Sequence, residues 1–225
     1  MTGSAAATMG RSIRAMANTV TFTVVEPTAA ADAALARATS VIRHVEQTCS
    51  RFDAASALSR ANAEPEVWHE VPATLALAID EAARAHEETG GLFDPRVLDV
   101  LLSWGYGSAT TFGPQGPATG AGAESRLGEG PPWERREPWR PRVRTDRETA
   151  RIHLGGSAVD LGGIGKGLAV RWAAASLLDG GAGAMVDAGG DLVVRGPAPD
   201  GESWLVGVED PSGAETPLAV LGLRD

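Results

Sequence analysis

Hydrophobic positions recur along this chain with the two periods that distinguish strands from helices. Residues 19 to 25 are rich in β-branched side chains and predict a strand that ends before Pro27. In residues 29 to 52, apolar side chains follow one another at alternating steps of three and four, which predicts an amphipathic helix. A second helix is predicted between Pro72 and Gly90, with one face formed by Leu75, Ile79, Ala82 and His86.

The second half of the chain is predicted to form hairpins and one further helix. Residues 143 to 145 and 151 to 154 flank a polar turn, and residues 184 to 186 and 192 to 194 flank the turn DAGGD. Between these hairpins a helix is predicted from Gly167 to Gly180, with one face formed by Leu168, Trp172 and Ala175 or Ser176. Residues 204 to 208 and 218 to 221 predict further strands.

This order of elements predicts an α+β fold in which helices pack on a mixed, largely antiparallel sheet. We expect a single domain over residues 1 to 225, with a Gly/Pro-rich surface insertion at 107 to 142. The chain has 225 residues, of which 43% are hydrophobic, enough for a substantial core. Its net charge of -9 argues against nucleic acid or anionic lipid as the main partner.

The cysteine content and the lengths of the apolar runs constrain the expected cellular location of the protein. Cys49 is the only cysteine, which excludes an internal disulfide framework. No stretch reaches the roughly 18 consecutive apolar residues of a membrane helix, and no signal peptide or lipid-attachment cysteine is evident. We therefore expect a cytoplasmic location, with peripheral membrane association left open.

A glycine-dense segment before the second hairpin carries the candidate chemistry. Gly162, Gly163, Gly165 and Gly167 surround Lys166 and lead into a predicted helix, an arrangement that suits phosphate groups. The segment fits neither the Walker pattern nor the dinucleotide fingerprint, and a tight turn with a solvated lysine is the alternative. In the turn DAGGD, the two aspartates could cap backbone N–H groups or face a cation, and capping is the commoner use.

Several segments, in order along the chain, share the pattern of one known family. The segments VDLGGIGKGLAVRWAAASLL and MVDAGGDLVVRG resemble the central signature of the ApbE family, the FAD:protein FMN transferases. Three earlier stretches agree with it: residues 14 to 16 before a strand, CSRFDAASALSRAN at 49 to 62, and GGLFDPRVLDVLLSWGYG at 90 to 107. The family pattern continues beyond the strand at 218 to 223, so we expect a domain truncated at its C-terminus.

The resemblance implies an enzyme that uses Mg²⁺ to move FMN from FAD to a threonine hydroxyl of a target flavoprotein, releasing AMP. The target could be a membrane redox subunit. Two alternatives stay open: a pyrophosphatase that releases FMN and AMP from FAD, and a flavin-binding fragment without catalysis.

The resemblance also implies site residues. Flavin-binding roles carry over to Met16, Phe52, Leu92, Phe93, Asp94, Asp160 and Lys166. The metal-ligand position matches Gly163, whose backbone carbonyl would have to serve, and Ser56, Ser59 and Asn62 are turn-forming residues expected near the flavin. The purely structural alternatives are turn capping by Asp94 and a hydrogen bond from the glycine segment to Asp160.

Overall fold

Helices and short antiparallel strands alternate in the computed structural model, which describes residues 6–107, 138–145, 149–213 and 216–225. The chain divides into two units, the first formed by Met1–Arg43 and Lys166–Asp225 and the second by His44–Gly165. Most of the predicted insertion, residues 108 to 137, lies outside the described residues.

The strands and helices of the described residues have the following bounds. The strands are β1 Thr8–Ala15, β2 Asn18–Val25, β3 His69–Val71, β4 Arg142–Thr145, β5 Ala150–His153, β6 Gly183–Ala188, β7 Asp191–Arg195, β8 Trp204–Val208 and β9 Ala219–Leu223. The α-helices are α1 Ala31–Cys49, α2 Ala57–Ala63, α3 Ala73–Glu88, α4 Leu98–Ser103 and α5 Gly165–Ala175, and a 3₁₀ helix at Pro95–Val97 precedes α4.

The first unit contains an antiparallel sheet of four strands in the order β1-β2-β6-β7. The predicted strand β2 is confirmed, and Val20, Phe22 and Val24 on one of its faces are fully buried. The predicted hairpin of β6 and β7 is also confirmed. Strand β1 was not predicted, because it lies at the sheet edge and its alternate residues are exposed, so it lacks an apolar signature.

The two helices that extend into the first unit were both predicted. Helix α1 buries Leu35, Ala38, Ile42 and Val45 and ends at Cys49. The predicted face of α5 was wrong in part, since Leu168 is buried but Trp172 is half-buried and Ala175 is exposed. Small alanine side chains allow α5 to be covered over a wider arc than one apolar stripe. Besides Leu168, the buried hydrophobic residues of α5 are Ala169, Val170, Ala173 and Ala174.

The second unit is built on an antiparallel sheet in the order β3-β5-β4, against which helix α3 packs. The predicted helix is confirmed, and Leu75, Ile79, Ala82 and His86 are all buried. The predicted hairpin of β4 and β5 is confirmed as well. Helices α2 and α4 were not predicted, since seven and six residues are too few to show a helical period.

Strands β8 and β9 were both predicted, and the structure pairs them as a separate antiparallel hairpin in the first unit. Trp204 of β8 packs in a cluster with Val25, Val194 and Ala198, and its indole N–H donates to the Gly196 carbonyl at 3.1 Å. Antiparallel sheets with helices confirm the predicted α+β fold class. In the part of the chain that the structure describes, no helix is long and apolar enough to cross a membrane.

Candidate functional site

The loop that follows helix α3 contacts the glycine segment within the second unit. Gly163 lies so close to Phe93 that a Cβ at residue 163 would approach the Phe93 ring to 3.2 Å. The Asp160 backbone N–H donates to the Pro95 carbonyl at 2.7 Å. Two predicted flavin-binding stretches, far apart in sequence, are therefore held side by side.

Asp160 lies at the centre of this arrangement and is buried. Its Oδ1 accepts a hydrogen bond from the Gly162 N–H at 2.6 Å, and a Cβ at residue 162 would lie only 2.7 Å from the same oxygen. Its Oδ2 forms an ion pair with Arg51 Nε. Although the two atoms are close, the Arg51 Nε–H is not aligned for a hydrogen bond, so the contact is an ion pair only.

Arg51 connects three loops of the second unit. Its Nη1 donates to the Tyr106 carbonyl at 2.7 Å, and its guanidinium carbon lies 4.0 Å from the centre of the Phe52 ring. With the ion pair to Asp160, this one side chain joins the predicted flavin residues of two separate motifs. Burying a charge is costly unless it is paired, so Arg51 and Asp160 fix each other's position.

The two predicted apolar residues beside this cluster face solvent. Phe52 is 45% exposed and Leu92 is 87% exposed. Large apolar side chains gain no burial energy in such positions, which leaves them available for a ligand. Trp104 is also 60% exposed, so of the two positions that the sequence left open for it, the core or the wall of a pocket, the core is excluded.

Asp94 caps a turn, which was the structural alternative to its predicted role in flavin binding. Its Oδ1 caps the 3₁₀ helix by accepting from the Arg96 N–H at 2.9 Å, and its Oδ2 pairs with Arg96 Nη2 at 2.8 Å. A flavin contact by Asp94 stays a prediction, and the observed contacts show that this carboxylate orders the start of the following helix.

Met16 lies in the first unit, in the tight turn between β1 and β2. Met16 and Ala17 both have positive φ angles, 51° and 60°, in a region that non-glycine residues seldom adopt. The Asn18 side chain donates to the Met16 carbonyl at 3.1 Å and stabilises the turn. Backbone strain of this kind is often retained where a residue must be presented in one orientation.

Lys166 also belongs to the first unit, where its Nζ lies 2.7 Å from Asp191 Oδ2. Asp187, at the other end of the β6–β7 turn, caps the Gly190 N–H at 2.9 Å. The turn DAGGD thus uses its aspartates in both of the ways considered, one as a cap and one facing a cation. Lys166 is held in place, and 30% of its side chain remains exposed.

A model of the ApbE family matches residues 16–225. The chain belongs to the ApbE family. The curated FAD:protein FMN transferase of Haemophilus influenzae is 28% identical over 191 residues, which are 83% of this chain and 54% of that protein. The chain therefore spans about half the length of that relative.

Solved structures show the same fold. The ApbE protein of Thermotoga maritima superposes with a TM-score of 0.75 at 24% identity, covering 96% of this chain and 68% of that one. The flavin transferase ApbE of Vibrio cholerae gives a TM-score of 0.75 at 22% identity, covering 98% of this chain and 70% of that one. The resemblance inferred from the sequence is confirmed at the level of family and fold.

The side chains that could hold a metal ion are dispersed in the described part of this ApbE chain. Among them, no three His, Cys, Asp or Glu side chains come together in a way that could hold a metal ion. Mg²⁺ requires several oxygen ligands, and Gly163 can offer only its backbone carbonyl. A metal contact at Gly163 stays a prediction.

Sequence reasoning missed the polar contacts of two residues that organise the second unit. One is Arg51, which adjoins the predicted Phe52 but whose partner Asp160 is remote in sequence. The other is His86, whose Nδ1 lies 2.8 Å from the Phe93 carbonyl and whose Nε2 accepts the Trp139 N–H at 3.3 Å. Because Nε2 accepts, Nδ1 must carry the proton and donate to Phe93. The signal in the sequence was that His86 is a polar residue on the apolar face of α3.

Proposed function

We propose that this chain carries the flavin-binding part of an FAD:protein FMN transferase, which moves FMN from FAD to a threonine hydroxyl of a target flavoprotein. Family membership and the curated Haemophilus influenzae relative support this proposal. The target, as expected from the sequence, is a flavoprotein such as a membrane redox subunit. Cytoplasmic residence also stays a prediction, which cell fractionation tests.

One observation carries the proposal: the second unit brings Phe93, Asp160 and Gly163 into direct proximity and places Phe52 against Arg51. Three motifs that the resemblance assigns to flavin binding thus meet in one unit. Exposed aromatic and aliphatic side chains suit a planar apolar ring system, and buried polar groups fix the loops that present them.

The proposed transfer needs stabilisation of phosphate charge more than a nucleophile on this chain. The threonine oxygen would bond to the FMN phosphorus while the bridging P–O bond to AMP breaks, with the hydroxyl proton released to base or solvent. Negative charge then builds on the departing AMP phosphate, and Lys166 and the backbone N–H groups of the glycine segment are suited to stabilise it. Mg²⁺ dependence belongs to the proposal through the resemblance.

Flavin titration tests the binding half of the proposal. The flavin fluorescence should change on binding, and FAD should bind more tightly than FMN, because the proposed site holds both halves of the dinucleotide. For the same reason, AMP alone should compete only weakly with FAD. Replacement of Leu92 by Ala should weaken FAD binding about fourfold, as expected for the loss of about one buried methylene at about 0.8 kcal/mol, without changing stability. Leu77→Ala is the matched control, since Leu77 is also exposed, at 52%, on helix α3 of the same unit.

A transfer assay tests the catalytic half. The protein is incubated with FAD and a threonine-containing acceptor, with and without EDTA, and covalent flavin fluorescence on the acceptor is followed. EDTA-sensitive labelling supports the transferase. Release of FMN and AMP without labelling would instead identify a pyrophosphatase, and tight FAD binding without turnover would identify a binding fragment. Absence of flavin binding would refute the assignment altogether.

A further inference from the structure

Three arginine side chains surround Trp68 on the small sheet of the second unit. Their guanidinium carbons lie 4.7 Å (Arg144), 5.5 Å (Arg142) and 5.7 Å (Arg151) from the centre of the indole ring system. All three arginines are exposed, whereas Trp68 is half-buried. The His153 ring meets Trp68 edge-on at 5.8 Å. Cation–π attraction at these distances favours the contact of each guanidinium group with the indole ring.

Strand register places these charges on one face of the sheet. Arg144 lies directly opposite Arg151, and Arg142 lies opposite His153. Successive side chains of a strand point to opposite faces, so the buried Ile152 belongs to the other face. The carboxylate nearest in register is the exposed Glu70, opposite Arg151 on β3. Among the described residues, none of the three arginines forms an ion pair.

Edge-strand protection alone does not explain this arrangement. Charged residues on an edge strand such as β4 prevent unwanted pairing with other chains. That role does not need a shared aromatic ring, nor does it need Arg144 to lie opposite Arg151. Like charges directly opposite each other on neighbouring strands destabilise an isolated sheet. An external group that supplies negative charge would remove the penalty.

We propose that this arginine face, formed by Trp68, Arg142, Arg144 and Arg151, docks a short acidic segment of a partner protein. Guanidinium groups bind carboxylates with two parallel hydrogen bonds, and Trp and Arg are the residues that most often dominate protein–protein interfaces. The net charge of -9 repels extended polyanions such as nucleic acid and anionic membranes. A short acidic segment is attracted by the local positive charge of the three arginines more strongly than it is repelled by the net charge of the whole chain.

A labelled decaglutamate peptide tests the proposal by fluorescence anisotropy with the whole chain. Salt-sensitive binding is expected. The triple variant R142Q/R144Q/R151Q should bind the peptide about tenfold more weakly, because three exposed charge pairs are lost. Since the three side chains are exposed, the variant should keep the melting temperature of the unmodified protein.

A control triple variant makes the same change in net charge elsewhere. R37Q/R84Q/R224Q removes three arginines that already have partners in the structure, and it should bind the peptide within about twofold of the unmodified protein. Equal losses in the two triple variants would show that only overall charge matters and would overturn the proposal. Failure of the unmodified protein to bind, or tighter binding of oligothymidylate or phosphatidylserine vesicles than of the peptide, would overturn it as well.

Discussion

The Arg51–Asp160 ion pair gives the sharpest test of how the predicted flavin loops are held. Only 11% of the Arg51 side chain and 9% of the Asp160 side chain are exposed. In Arg51→Met, the Asp160 carboxylate stays buried with the Gly162 N–H as its remaining partner among the contacts described above. In Asp160→Asn, the amide oxygen can still accept that N–H, and Arg51 keeps the Tyr106 carbonyl and the Phe52 ring.

The two substitutions should therefore differ in cost. Removal of one partner from a buried ion pair costs about 3–5 kcal/mol, so we expect Arg51→Met to lower the free energy of unfolding by about 3 kcal/mol. Asp160→Asn should cost about 2 kcal/mol, because fewer polar atoms are left without partners. The double variant should cost less than the sum of the single variants, with a coupling energy of at least about 1 kcal/mol.

Urea denaturation of the four proteins in this cycle measures the coupling energy. Arg84→Met is the control, since Arg84 pairs with Glu81 and Glu88 on the surface and has a side chain that is 56% exposed. It should cost less than about 1 kcal/mol. If the costs of Arg51→Met and Asp160→Asn simply add, or neither exceeds the control, the pair does not hold the loops together and the reasoning is refuted.

Three further predictions concern individual side chains. Asp191→Asn frees Lys166 from its ion pair and should strengthen FAD binding up to about fivefold, whereas Lys166→Ala should weaken it about tenfold; unchanged titrations for both would remove Lys166 from the proposed site. Ser56→Ala removes the cap of α2, in which Ser56 Oγ accepts the Ser59 N–H at 2.9 Å, together with the hydrogen bond that Ser56 Oγ donates to the Ser50 carbonyl, and should cost about 2 kcal/mol in urea denaturation. Burial raises the pKa of the Cys49 thiol from 9.0 to about 12, so the stability that the neutral thiol contributes is complete below pH 9.0 and is lost as the pH rises to about 12. Cys49→Ala should flatten the decline of stability over this range, and an unchanged slope would contradict the assignment.

The sequence alone determined the elements whose signals are local. Strand β2 and helices α1 and α3 have clear periods over eight, 19 and 16 residues. The hairpin at 183–195 has apolar runs on each side of a glycine turn, and the hairpin at 142–153 has alternating apolar and polar residues on each side of a polar turn. The ordered motifs that resemble the ApbE family were readable for the same reason, since each is a short contiguous stretch, and the family model confirmed them.

Only the tertiary structure decided which of these stretches meet and what their polar side chains do. Asp94 and Asp160 each had two interpretations in the sequence, and the contacts with Arg96, Gly162 and Arg51 supplied the structural one. Arg51 and Asp160 are separated by most of the second unit, and a sequence pattern carries no information about a partner so remote. Which charged side chains pair depends on which of them the fold buries, because a charge removed from water is costly unless it has a partner.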